Sequence, residues 1–142
     1  EIQAYAAPTS VPRMPHHVRG VANLHGEIVP VIDLRLRLGM PEQAYGPHTV
    51  IVYVGVAAQV VGLIVDVASR VLDLDPAQIK PPPAMADLDL SFVAGIARTA
   101  DRVLVVLDVE ALLRGDPALA ASAAPPPTAP GSGLAAGKEG SP

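Results

Sequence analysis

The residues of this 142-residue chain that could do chemistry are few, and their spacing does not bring them together. His16 and His17 are adjacent on a proline-flanked stretch, whereas His25 and His48 stand apart from them and from each other. A metal site would call for ligands at i and i+4 on a helix, or for a set of four drawn together, and the histidines have neither pattern. Asp73 with Asp75, and Asp87 with Asp89, have the alternation of paired carboxylates or of a calcium loop. No glycine-turn ladder of ligands accompanies either pair, and such alternation ordinarily solvates one side of a strand or loop. Ser132 lies between Gly131 and Gly133 without the strand, elbow and helix that expose a hydrolase nucleophile. No phosphate-cradling glycine loop occurs, and with no cysteine there is no thiolate, disulfide or cysteine metal site. The expectation is a protein with no catalytic residues, no metal and no cofactor.

The elements that would have to position any site are most legible in residues 18–40, VRGVANLHGEIVPVIDLRLRLGM. An apolar run at 21–24 is followed by His25-Gly26, where glycine permits positive φ, and then by the β-branched run 27–32; together they read as a hairpin. Pro30 lacks an N–H, which argues for an edge strand or a bulge. Asp33 could be imagined as a catalytic carboxylate, but it stands where a helix N-cap belongs. Leu34, Leu36 and Leu38 alternate with Arg35 and Arg37 behind it, and Gly39 stops the helix. The two arginines read as a solvated helix face, which can also meet a partner.

Residues 49–65 carry no formal charge and approach the length of a membrane-spanning helix, yet Gly55, Gln59 and Gly62 interrupt them. Two strands, 50–54 and 60–65, turning through 55–59 are the better reading. Further along, 67–74 reads as a strand, 75–89 as a loop stiffened by Pro81–Pro83, 92–97 with 103–108 as a hairpin, and 109–113 as a closing helix ended by Gly115. From Asp116 onward Ala, Pro, Ser and Gly dominate, too little apolar bulk to fold, so 116–142 is expected to be a solvated tail behind a domain at 1–115.

Half the residues are apolar but only 3% are aromatic, so aliphatic side chains must fill the core. A net charge of −4 leaves no electrostatic footprint for a phosphate backbone, and base-stacking platforms are scarce. Nucleic acid is therefore not an expected partner, and direct membrane insertion is not expected either.

Residues 18–35 resemble the CheW family, adaptors of bacterial chemotaxis, whose pattern runs close to hydrophobic-K/R-G-V-x-N-L-R-G-x-I-V-P-V-I-D-L-R. Arg19-Gly20-Val21, Asn23-Leu24, Gly26 and the run from Ile28 to Arg35 stand in its places. The likeness continues through 48–66, 71–82 and 93–113. It implies an all-β, CheW-like double SH3-like β-barrel with short helices, incomplete at its N-terminus because the family's first strands precede the equivalent of Glu1-Ile2. It also implies a cytoplasmic, non-enzymatic adaptor that binds the regulatory domain of a CheA-type histidine kinase and the cytoplasmic tip of methyl-accepting chemoreceptors. Glu1, Arg19, Gly20, His25 and Gly26 are the residues the resemblance places in partner contacts. His25 departs from the family's arginine, exchanging a bidentate fork for a ring that is charged only when protonated. The alternatives are the same module in another chemosensory pathway, a fragment of a CheV- or CheA-type chain, or, from a different class, a small β-barrel enzyme.

Overall fold

The computed structural model describes residues 1–84 and 89–119. Its first sheet is made of β1 (Ile2–Ala4), β2 (Val18–Leu24), β3 (Glu27–Asp33), β4 (Val50–Val56) and β5 (Gln59–Val65), in the spatial order β1-β4-β5-β3-β2. The β2–β3 hairpin turns at His25 and Gly26 with φ of 52° and 90°. Two left-handed central residues give the turn the twist its strands require, and Asn23 Oδ1 accepts the Gly26 N–H at 2.8 Å. The β4–β5 hairpin is tighter than its glycines suggest. The strands run through Gly55, and Ala57 and Ala58 take the positive-φ positions at 51° and 67°.

The sheet does not stay open. The chain leaving β1 bends so that Thr9 bridges Val21 of β2, each N–H donating to the other's carbonyl at 2.9 Å. The two edge strands of the order are thereby joined into a small barrel. Arg19 is the extra residue of a bulge between Val18 and Gly20, and Gly20, at φ 139°, lies directly under the bridge. A Cβ there would come within 2.0 Å of the Thr9 carbonyl oxygen, so only glycine permits the closure.

Pro30 is not on an edge strand, contrary to the reading from its missing N–H, because β3 lies between β2 and β5. Val21 turns its backbone groups toward Thr9, so its partner Pro30 is a non-hydrogen-bonded position facing away from β2. The parallel ladder to β5 begins only at Val31, one residue later, and no donor is missed.

Because β3, β4 and β5 are covered on both faces, they read as continuous apolar runs. Val29, Val31, Ile51, Tyr53 and Ile64 fill the barrel, and Gly62 leaves room for the Tyr53 ring opposite it. On the other face Ile32, Val56, Val61 and Leu63 pack beneath Leu112, Leu113 and Ala118. Each such aliphatic side chain contributes about 1.5–3 kcal/mol by leaving water. Helix α1 (Leu34–Arg37) is capped by Asp33 as expected, its Oδ1 accepting the Leu36 N–H at 3.3 Å.

The expected strand at 67–74 is absent: the segment finds no neighbour to pair with, and Val71 is 87% exposed. Within the stretch read as a loop, a 3-10 turn at Pro76–Gln78 with an Asp75 capping box delivers β6 (Ile79–Lys80). β6 pairs with β7 (Val93–Arg98), and β7 with β8 (Val103–Leu107), as a second, three-stranded sheet. α2 (Val109–Leu112) follows, capped by Asp108. The architecture is all-β with short helices, in keeping with the double SH3-like barrel.

The expected tail boundary at Asp116 is corrected. Asp116 is 3% exposed, and its Oδ2 receives His17 Nε2 at 2.7 Å and Arg37 Nε at 3.1 Å, while its Oδ1 accepts the Ala118 N–H at 3.0 Å. Arg37 also donates to the Leu112 carbonyl at 2.6 Å. Ala118 is fully buried and Leu119 packs on the same core. Composition missed this because one buried carboxylate, bonded to Arg37 of α1 and to His17 far away in sequence, helps hold the segment where apolar bulk is small. The remainder of the tail, 120–142, lies outside the described residues, as do Asp87 and Gly131-Ser132-Gly133.

Two outcomes follow. Gly20→Ala is expected to cost about 3 kcal/mol or more, since the methyl group must push the Thr9 backbone out of the bridge; an unchanged denaturation midpoint would contradict this. Asp116→Ala strands the Arg37 cation and leaves the His17 ring nitrogen without its acceptor, and is expected to cost about 2–3 kcal/mol, somewhat below a fully buried pair because both partners are partly exposed. Urea unfolding of the variant checks it.

Candidate functional site

Barrel closure decides what stands next to what. β1 lies beside β4, with the Tyr53 N–H donating to the Glu1 carbonyl at 2.7 Å, and the curl of the sheet carries Glu1 round to the β2–β3 turn. There His25 Nε2 meets Glu1 Oε1 at 2.7 Å, while the Gln3 amide donates to Glu1 Oε2. Three of the expected site residues, Glu1, His25 and Gly26, thus form one patch, and the pair's side chains are 41% and 71% exposed. The Gln3 amide, and after it the His25 imidazole, hold the Glu1 carboxyl below its usual range. Burial and the nearby Glu1 charge push the Tyr53 phenol up, so it stays protonated.

The other two expected residues are elsewhere. Arg19 and His25 are at opposite ends of the β2 region, six residues apart or about 20 Å along an extended strand. Arg19 Nη2 donates to Glu42 Oε2 at 3.2 Å and Nη1 to the His16 carbonyl at 3.2 Å, with the guanidinium 5.9 Å above the Tyr45 ring centroid. His16 Nε2 lies 3.2 Å from the same glutamate. Beneath, the Tyr45 hydroxyl donates to Asp33 Oδ2 at 2.7 Å, and burial together with that carboxylate raises the phenol well above its usual range. Tyr5 stacks on Tyr45 with centroids 4.5 Å apart. These groups border a groove of about 450 Å³ walled by Tyr5, Pro8, Val11, Met14, Arg19 and Tyr45. Gly20 carries no contact of its own in this patch; its role is the bridge beneath it.

Asp33 therefore serves both as N-cap and as acceptor for Tyr45, which accounts for its burial without catalysis. His16, His17 and His25 go to three different carboxylates, those of Glu42, Asp116 and Glu1. Among the described residues no group of three or more His, Cys, Asp or Glu could hold a metal ion. No helix among them is long and apolar enough to cross a membrane. Glu42 and Tyr45 escaped the sequence reading, for they lie 23 and 26 residues from Arg19 and carry no motif, and Gln3, although only two residues from Glu1, belongs to none either. What the surface offers is paired charges and hydrogen-bonding groups on a rigid barrel, suited to binding another protein.

A family model described as CheW-like domain matches residues 1–116. The chemotaxis protein CheW of Klebsiella aerogenes is 36% identical over 117 residues, covering 82% of this chain and 70% of that protein. The probable chemotaxis protein CheW of Rhizobium etli is 36% identical over 113 residues, covering 79% and 73%. Among solved structures, the scaffolding protein TtCheW of Thermoanaerobacter tengcongensis superposes with a TM-score of 0.73 at 34% identity, over 80% of this chain and 78% of that one.

The Glu1 pair makes a titration prediction. A carboxyl depressed on folding contributes stability above its unfolded pKa, and loses it as pH falls through the folded value. Gln3→Ala is expected to move the Glu1 midpoint up most and His25→Ala next, while His25→Arg keeps it low because arginine stays charged. Carboxyl carbon NMR shifts read each midpoint; a Glu1 titration indifferent to Gln3→Ala would refute the arrangement.

Proposed function

Because this chain belongs to the CheW-like family of chemotaxis adaptors, we propose that its two patches are contact surfaces for the kinase and receptor it couples. The chain is a scaffold protein of chemotaxis signalling. Its partners in this reading are the regulatory domain of a CheA-type histidine kinase and the cytoplasmic tip of a chemoreceptor, and its place is the cytoplasm beneath the receptor. Its work is geometric and involves no bond making. Holding both partners lets the receptor state bias the kinase equilibrium, which is a coupling free energy between two binding sites.

The observation that carries this reading is the exposed Glu1–His25 pair, fixed between an edge strand and a type I′ turn on a closed barrel. Gly26 shapes the turn and Gly20 closes the barrel, so both act by holding the charged residues in place, while Arg19 presents a second, separate contact. A pre-formed surface of this kind costs little ordering on binding. Histidine stands here where the family pattern has arginine, so the turn offers single ring nitrogens in place of a bidentate fork.

Affinity for the regulatory domain of a cognate kinase tests this. Glu1→Lys and His25→Glu are each expected to weaken binding about tenfold, or about 1.4 kcal/mol, and the double reversal to recover part of it. His25→Arg is expected to strengthen binding, because arginine brings a bidentate fork to Glu1. Affinity unmoved by either reversal would remove this patch from the interface.

A further inference from the structure

Arg19 is oriented by groups that owe nothing to its ion pair. It is the extra residue of the β2 bulge, its Nη1 donates to the His16 carbonyl at 3.2 Å, and its guanidinium rests 5.9 Å from the centroid of the Tyr45 ring. Tyr45 is itself fixed by the bond from its hydroxyl to Asp33 and by its stacking with Tyr5. The carboxylate on this cation, that of Glu42, is held far less firmly. It comes from residues 40–46, which form neither helix nor strand, and among the described residues Glu42, Gln43 and Ala44 make no backbone hydrogen bond. Its side chain is 51% exposed, against 23% for Arg19, and each of its oxygens makes one long contact of 3.2 Å, Oε2 with Arg19 and Oε1 with His16. Such a pair contributes little, because water competes for the carboxylate and the loop loses freedom in forming it. It also leaves the bidentate geometry of the guanidinium unused.

We propose that Glu42 is a stand-in, and that Arg19 receives a carboxylate of a partner protein, which displaces it. This rests on the reading of the Arg19 patch as a contact surface, and adds the chemistry of what it contacts. The partner's acid stands next to an apolar side chain, because the groove beside the guanidinium is walled by Tyr5, Pro8, Val11 and Met14, and Val11 is 38% exposed. The sign follows from charge. Residues 11–19 contain Arg13, His16, His17 and Arg19 and no acid, and among the described residues Arg13 has no carboxylate within ion-pair distance. A second copy of the same rim would set these cations against their own equivalents. The groove begins where the Tyr5 N–H donates to the Thr49 carbonyl, and Glu1 lies beside Tyr53 about 13 Å back along the strand. The Glu1–His25 patch is therefore separate from it.

The test measures the affinity of the full chain for the regulatory domain of a cognate CheA-type kinase and, separately, for the cytoplasmic tip of a cognate chemoreceptor. Glu42→Gln removes the competing charge without touching the supports of Arg19, and is expected to strengthen binding to one of the two about fivefold. Arg19→Gln is expected to weaken that same binding about tenfold, and Glu42→Gln added to it to bring no gain. In the parent complex the Arg19 Nε–H NMR signal is expected to shift. Asp87→Asn and Glu139→Gln each remove one negative charge elsewhere in the chain and are expected to change nothing. Circular dichroism verifies that every variant folds. A gain that survives Arg19→Gln would overturn the proposal, and so would an equal gain from Asp87→Asn or Glu139→Gln, which would put one of the chain's own acids on Arg19. If binding responds to Glu1→Lys but not to Glu42→Gln, this proposal alone fails; if neither protein binds the parent chain, the reading beneath it fails as well.

Discussion

The bridge between Thr9 and Val21 is the contact on which the first sheet depends. Without it β1 and β2 are the two free edges of a five-stranded sheet; with it they belong to one barrel, and the barrel interior becomes a place where Ile51, Tyr53 and Ile64 can leave water. The bridge requires backbone to approach backbone more closely than any side chain allows, and Gly20 supplies that space at the bulge beside Arg19. A glycine with no functional group thus determines where functional groups stand. The bulge and the closure together direct Arg19 over Tyr45 and bring Glu1 to the hairpin turn.

A second constraint acts at the other end of the chain. The carboxylate of Asp116 gathers His17 from the loop before β2, Arg37 from α1 and its own helical turn, and so seats Ala118 and Leu119 on the outer core. Buried, paired charges contribute less to net stability than to specifying one arrangement, because their attraction is set against the loss of hydration. α1, the loop before β2 and the turn at 116–119 are thereby tied to one another through a single side chain.

The surfaces divide by chemistry. The Glu1–His25 patch and the Arg19–Glu42–His16 patch are polar and lie at the barrel surface, the kind of surface that sets specificity and orientation more than raw affinity. The outer side of the second sheet carries Ile96, Val103 and Val105 with Lys80 and Arg98 at its margins. A scaffold with several partners can use such separate surfaces without one binding event excluding another.

How much of this was written in the residues depends on the range of the interactions. The β2–β3 hairpin, its left-handed turn, the Asp33 cap, both later hairpins and the short closing helix were legible, because turn chemistry, capping and alternation are local in sequence. Family membership was legible too, from the ordered run at 18–35. Local signals failed where pairing partners decide. The segment 67–74, with Val67, Val71, Leu72 and Leu74, reads as a strand but has no strand beside it, while β6 forms in a proline-rich loop because β7 is at hand to receive it. Pro30 sits inside the sheet because the ladder starts one residue later, and Asp116 is a latch because His17 and Arg37 converge on it from 99 and 79 residues away. By itself the sequence determined the hairpins, their turns and caps, and the family. Only the tertiary structure decided which edges close and which carboxylate meets which partner, since those outcomes depend on contacts between segments with no common local pattern.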